Sequence, residues 1–305
     1  MLLFLFRRSV VALLVCTVVL VFAFALTRLA GDLAISIAGP NATAEDIEVV
    51  RKAYGLDRPI IQQFFDWVGR ALVGDFGQSY FYKERVATLI FDRLPITVTL
   101  GLVGLGIAVV VALPLGVISA LNEGRVIDRL ISLVALLGQA LPSFWLGLML
   151  MIVLGLNLGW LPISGTGSWQ HFVMPGIVLS FSAIPALMRL TRSGMIDAMA
   201  ADYIRTARAK GLSRGAIILK HAARNAAMPV VSIAAVQLGF MLGGSIVIET
   251  VFALHGVGFL AWESISKNDF PTVQAVVLLL AIIYTLLTLL ADMLNALLDP
   301  RLRAS

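Results

Sequence analysis

The stretch D-Y-I-R-T-A-R-A-K-G-L-S-R-G-A-I-I-L-K-H-A-A-R-N-A-A-M-P, Asp202 to Pro229, is a basic, helix-prone insert between apolar segments. From Arg189 to Arg224 the chain carries eight Lys/Arg against two acids, Asp197 and Asp202. Charge of that density cannot lie in hydrocarbon, so the segment must face water or another protein. Its Ala-rich first helix is expected to stop at Lys210-Gly211, where glycine permits the left-handed closing turn. Ser213 is the expected N-cap of a second helix. A basic helix, a glycine turn and a second basic helix fit a docking element. An ordinary cytoplasmic loop obeying the positive-inside bias fits the same residues.

Working outward, the 305 residues are 59% hydrophobic and only 13% charged, with a mean hydropathy of +0.95. Soluble domains carry about a quarter charged residues, so the composition is that of one polytopic, all-α membrane domain. The net charge of +5 does not point to nucleic acid, because the basic residues sit between hydrophobic spans. Cys16 is the single cysteine and lies in an apolar run, so no intrachain disulfide can form.

Six spans are expected. Arg7-Arg8 precede the uncharged run Ser9 to Thr27. That run exceeds the ~7–15 residues of a signal-peptide core, and it reads as a retained first helix. Leu94 to Asn122 supplies span two. Leu130 to Met188 lacks any acid, Lys or Arg and is too long for one helix; Gly155 to Gln170 divides it into spans three and four. Pro175 and Pro185 bracket span four as possible kinks. Asn225 to Ile248 and Phe270 to Ala291 complete the set. The organisation is therefore 1–29 as a cytoplasmic stub and first helix, 30–93 as an extracytoplasmic segment, and 94–305 as a five-helix core. The last contains the basic loop at about 194–226.

Lys/Arg counting orients the chain. One set of short connections holds Arg7, Arg8, Arg125, Arg129, the eight of the insert, Arg301 and Arg303, whereas the opposite set holds only Lys267. Both termini are thus expected in the cytoplasm. The long segment from Arg28 to Arg93, with eight Lys/Arg and nine acids, belongs to the class of long translocated segments that escape the rule. Within it, Thr43 to Gly55 forms an expected amphipathic helix with Ile47, Val50 and Tyr54 on one face. A second starts near Pro59 with the stripe Ile61, Phe65, Val68 and Leu72. Packing is the first reading of these stripes; a place on the membrane surface or over the outer mouth of a pathway is the second.

No catalytic constellation emerges. His171, His221 and His255 fall in separate connections without metal-ligand spacing, and no cofactor or metal site is expected. No G-x-x-x-x-G-K-[ST] run occurs, so nucleotide hydrolysis by a phosphate-binding loop needs a separate chain. Glu249 and Asp292 are the acids nearest the membrane. Each lies close to a span end, where water or a neighbouring Arg can satisfy it, and structural pairing is the favoured role. Gly239 to Gly243 is a G-x-x-x-G that allows close helix packing, within the chain or against a second permease.

The residues D-Y-I-R-T-A-R-A-K-G-L-S, followed by K-H-A-A-R-N-A-A-M-P-V-V, resemble the permease-side coupling loop of ATP-binding-cassette importers, in the dipeptide/oligopeptide/nickel branch. The general pattern E-A-A-x3-G is matched by Ala207 and Gly211, whereas Arg205 and Thr206 replace the Glu and the first Ala and the proline comes late, at Pro229. G-L-D-R-P-I (Gly55 to Ile60), G-D-F-G-Q-S-Y (Gly74 to Tyr80), L-P-S-F-W-L-G (Leu141 to Gly147), G-W-L-P-I-S-G (Gly159 to Gly165), L-G-G-S-I-V-I-E-T-V-F (Leu242 to Phe252) and L-L-D-P-R-L-R (Leu297 to Arg303) extend the likeness over nearly the whole chain.

The resemblance implies the type I importer architecture, as the first permease of a pair. Its implied partners are a second, non-identical permease, two ATPase subunits and an extracytoplasmic solute-binding protein, all working within membrane lipid and without nucleic acid. It implies a coupling surface at Ala207, Gly211, Leu212 and Ser213, with Arg205 and Arg208 as flanking charges. In that reading Ala207 and Gly211 keep the contact surface low. Related permeases carry peptides, nickel chelates, glutathione, opines or oligosaccharides. The rival class is a channel or secondary carrier whose basic loop binds anionic lipid.

Overall fold

The computed structural model describes residues 2–29, 31–39 and 41–298. The expected Arg301 and Arg303 charges, and most of the Leu297 to Arg303 motif, lie outside the described residues. The first span is α1, Leu2–Leu29. Three short helices follow: α2 (Leu33–Ala38), α3 (Ala44–Ala53) and α4 (Ile60–Leu72). The core comprises α5 (Val86–Leu121), the pair α6 (Val126–Ala140) and α7 (Ser143–Leu150), and α8 (Val173–Ala200). The basic insert forms α9 (Asp202–Ala209) and α10 (Arg214–Ala216), and the chain ends with α11 (Ala223–Val251), α12 (Val257–Ser266) and α13 (Phe270–Leu298).

Among the described residues, five helical segments are long and apolar enough to cross a bilayer: Phe6–Leu29, Val86–Leu121, Trp169–Ala200, Arg214–Val251 and Phe270–Ala296. The third span differs from a simple helix. Helices α6 and α7 meet at 97°, with α7 continuing as a π-helical turn, Met151–Asn157. The break has a local cause. Pro142 has no N–H to continue the helix and forces Leu141 into extended backbone, φ −71° and ψ 132°. Pro175, by contrast, falls in the first turn of α8, where a proline breaks no helical hydrogen bond, and α8 runs on through Pro185 to Ala200.

Side-chain registers give the direction of each crossing. On α5, Gly104 faces Leu179 and Gly116 faces Thr191, so α5 and α8 run parallel. The bent pair between them must therefore return the chain from one end of the bundle to the other, making a sixth crossing. A Cβ at Gly116 would stand 2.6 Å from the Thr191 Cβ, and the glycine is what lets these two helices touch. Thr97 pairs with Glu249, which sets α11 antiparallel to α5. Gln274 donates to Thr27 (2.7 Å) at one end and Arg8 pairs with Asp292 (3.1 Å) at the other, so α1 and α13 are also antiparallel. The N-terminal helix start, the basic insert and the end of α13 thus share one end of the bundle.

At the opposite end, Thr43 caps α3 reciprocally with Asp46. Most of the α4 stripe does not pack: Ile61, Phe65 and Leu72 are exposed and only Val68 is half-buried, whereas Phe64 and Trp67 hold the helix against Phe24 of α1. Two aromatic residues outside the stripe outcompete it, because the α1 surface presents a ring to which they stack edge-on or tilted. The motif around Gly74 to Tyr80 pins this region down. Ser79 Oγ (2.5 Å) and the Tyr80 N–H (2.8 Å) donate to the fully buried Asp269 carboxylate ahead of α13. Of the G-x-x-x-G pair, Gly239 packs against Tyr284 of α13, whereas Gly243 faces open space.

Candidate functional site

The basic insert is built by three local devices. Helix α8 ends where Ala201 turns extended, and α9 begins at once. Helix α9 stops at Lys210. Gly211 follows at φ +75°, its N–H donating to the Arg208 carbonyl (2.9 Å), while the Leu212 N–H donates to that of Ala207 (3.3 Å). Ser213 Oγ then accepts from the Ala216 N–H and starts the next helix. A π-helical stretch, Ile217–Ala222, joins it to α11. The expected stop, turn and restart all fall on the residues foreseen.

The two faces of α9 have different partners. Ile204 and Ala207 are 1% and 6% exposed and belong to one buried apolar cluster with Met195 and Ala198 of α8, Ile217 and Ala222 of the π-helical stretch and Ala226 of α11. Ala207 is therefore not part of an outward surface. Its smallness is needed inward, where it lets α9 lie close on the ends of the spans. Asn225 Nδ2 donates to the Tyr203 hydroxyl (2.9 Å), a second tie between α9 and α11. The outward face consists of Arg205, Arg208, Gly211, Leu212 and Ser213, all exposed, with Leu212 at 41%. A Cβ on Gly211 would meet nothing, so the glycine is required by backbone conformation and not by space.

Not all eight basic residues belong to that face. Arg192 is held in a bidentate pair with Asp128 of α6, whose two oxygens also accept from Ser119 Oγ and the Gly124 N–H. This knot ties the α5–α6 turn to α8 nearly three turns before the insert. Sequence reading counted Arg192 among the docking charges and passed over Asp128. The only available signal was an acid beside Arg125 and Arg129.

At the other end, Glu249 is fully buried, and its hydrogen-bond partners among the described residues are two hydroxyls and a backbone N–H, with no Arg among them. Thr97 Oγ1, Ser245 Oγ and the Phe259 N–H each donate to it at 2.8 Å. The expected kind of partner is thereby corrected. The tight turn through Gly256 to Gly258 brings backbone donors within reach, and a Cβ at Gly256 would stand 2.6 Å from Glu249 Oε2. Asp292 pairs with Arg8, the structural role favoured for it. His171 accepts from the Ser168 N–H within a capping arrangement, and the His255 ring lies tilted against Phe259, 4.7 Å between centroids. Among the described residues, no three His, Cys, Asp or Glu side chains converge as metal ligands.

Comparison with known proteins settles the class. The binding-protein-dependent transport system inner membrane component family matches residues 112–304, and the N-terminal component of the same transport systems matches residues 1–101. The chain belongs to this family. The permease is 41% identical over 285 residues to the glutathione transport system permease protein GsiC of Escherichia coli K12, covering 93% of each chain. GsiC of Shigella flexneri serotype 5b matches at the same identity and coverage. Among solved structures, the MetNI methionine ABC transporter in inward-facing conformations superposes with a TM-score of 0.56 at 19% identity, covering 69% of this permease and 96% of that chain. That likeness is one of fold. The protein is the permease subunit of an ATP-driven importer, a multi-pass component of the inner membrane.

Proposed function

We propose that this permease imports short peptides, with glutathione the first candidate, and that α9 transmits ATPase motion to the spans. The observation that carries the coupling role is the division of α9 into a buried face, Ile204 and Ala207, and an exposed face at the end shared by both terminal helices. A helix seated on the end of α8 and on the π-helical stretch that runs into α11 moves with them, so force applied to its outer face reaches two spans at once. The glutathione relatives support the substrate class. The partners in this reading are a second, homologous permease, two ATPase subunits that supply the nucleotide site, and a solute-binding protein. The end bearing α9 and both termini faces the cytoplasm.

The test is uptake of labelled glutathione and of a dipeptide by cells lacking their own systems, with this permease expressed beside its partner subunits. Uptake is expected to require an intact ATPase and to fail with Gly211→Val. Uptake that survives ATPase inactivation but collapses with a protonophore would establish the secondary-carrier reading instead.

A further inference from the structure

The bent third crossing breaks deep in the membrane. Gly138, in the last turn of α6, packs against the Phe181 ring, where a Cβ would stand 2.7 Å from a ring carbon. Two residues away on α8, Leu179 packs on Gly104 of α5. Gly104 is separated from Arg93, the nearest charge on its helix, by about 16 Å of helix, half the hydrocarbon thickness of about 30 Å. Measured from the Asp128 knot at the α9 end, Gly138 lies about 15 Å up α6. Residues 139–145 are all exposed at this depth.

The backbone there is left open. Among the described residues, the carbonyls of Gly138, Gln139 and Ala140 and the N–H groups of Ser143, Phe144 and Trp145 have no backbone partner across the break. Pro142 brings no N–H and no side-chain cap. Backbone in this state occurs at membrane depth only where it is buried in protein or lines water. The side chains divide in the same way. The exposed Gln139 amide finds no partner among the described residues, and Ser132, seven residues earlier, shares its side of α6. Leu130, Val134 and Leu137 occupy the opposite side, 53–65% exposed, and suit lipid.

The polar side ends in the break and needs donors and acceptors together. A transmembrane helix of a second permease bonds its own backbone internally and has few such groups to lend. A short peptide in water carries amide N–H and C=O groups side by side and meets both halves of the break.

We infer that residues 139–145 line the translocation pathway at mid-depth and hold passing peptide by its amide groups, with Gln139 and Ser143 as the side chains that touch it. Exposed Phe144 and Trp145 flank them. The peptide rests on the function proposed above; the water-lined break does not.

The test uses Gln139→Cys, Ser143→Cys and, as the lipid-side control, Leu137→Cys, each in a Cys16→Ser background of the full importer in proteoliposomes. A charged, water-soluble thiol reagent is expected to modify Gln139→Cys and Ser143→Cys about tenfold faster than Leu137→Cys, whose thiol lies in apolar surroundings. S-methylglutathione, which has no free thiol, is expected to slow both reactions. Gln139→Leu is expected to lower uptake of labelled glutathione at sub-saturating concentration about tenfold, the effect of one lost hydrogen bond. The two cysteine sites keep the proposal testable if one variant fails to insert. Reaction at both sites no faster than at Leu137→Cys overturns the proposal and assigns the break to a protein contact. In an importer that takes up glutathione, unchanged rates with S-methylglutathione, or full uptake by Gln139→Leu, overturn the cargo contact. Absent uptake of glutathione and dipeptide alike would sink the substrate reading alone, and fast reaction at both cysteines would still establish the water-lined break.

Discussion

Arg192 grips Asp128 through two parallel hydrogen bonds of 2.8 Å, and this fork locks the α5–α6 turn to α8 just ahead of the coupling helix. The carboxylate is 8% exposed and the guanidinium 27%, so water offers only partial replacement for either partner. Asp128→Asn should therefore cost about 2 kcal/mol of stability, less than a fully buried pair would. A lowered melting temperature of the detergent-solubilised permease checks this. Arg192→Lys should recover little, because an ammonium cannot match the bidentate geometry.

Gly211 should tolerate only residues that accept the left-handed region. At φ +75° a β-branched side chain is strained although the space around it is empty. Gly211→Val should insert normally, lose transport and weaken ATPase copurification, whereas Gly211→Asn should retain a substantial fraction of both. Full uptake by a normally expressed Gly211→Val protein would remove this turn from the mechanism.

Charge and packing at α9 are separable. Arg205 is 85% exposed and pairs only loosely with Asp202 at 3.5 Å. Exposed pairs of this kind contribute about 0–1 kcal/mol and are screened by salt, so Arg205→Gln/Arg208→Gln should keep most substrate-stimulated ATP hydrolysis. Ala207→Trp should lose most of it, because the indole must enter the contact between α9, α8 and α11 and lift the helix from its seat. Proteolysis near Lys210 should accelerate in that variant alone. The reverse ranking of activities would mean that the basic face makes the coupling contact.

Glu249 holds three donors at 2.8 Å in a fully buried site. Glu249→Leu strands them and should destabilise the α11–α12 corner by about 3 kcal/mol. Glu249→Gln keeps one acceptor oxygen and should cost less than half as much. Thermal melts of the two variants decide the matter; equal losses would show that shape, not hydrogen bonding, holds the corner.

The topology predicts where reporters function. A reporter active only in the cytoplasm should work when fused after Arg214 and fail after Gly165, which lies in the connection between α7 and α8. Activity after Gly165 would contradict the sixth crossing assigned to the bent pair.

What the sequence determined by itself was everything whose cause is local. A span needs about 20 apolar residues, and a cap or a left-handed glycine acts within one helical turn, so the six crossings and the stop at Lys210, turn at Gly211 and restart at Ser213 were legible residue by residue. Pro142 stood in the sequence only as part of a motif, and the 97° bend that it starts was not expected there. The tertiary structure alone decided which way each side chain faces and what it meets. Ala207 turned inward because Ile204 beside it had a core to join. The α4 stripe turned outward because Phe64 and Trp67 found Phe24. The buried acids drew partners from far along the chain, Asp128 from 64 residues away and Glu249 from 152. No periodicity or spacing records such pairings, because they are selected by the cost of leaving a buried charge unsatisfied after the helices have come together.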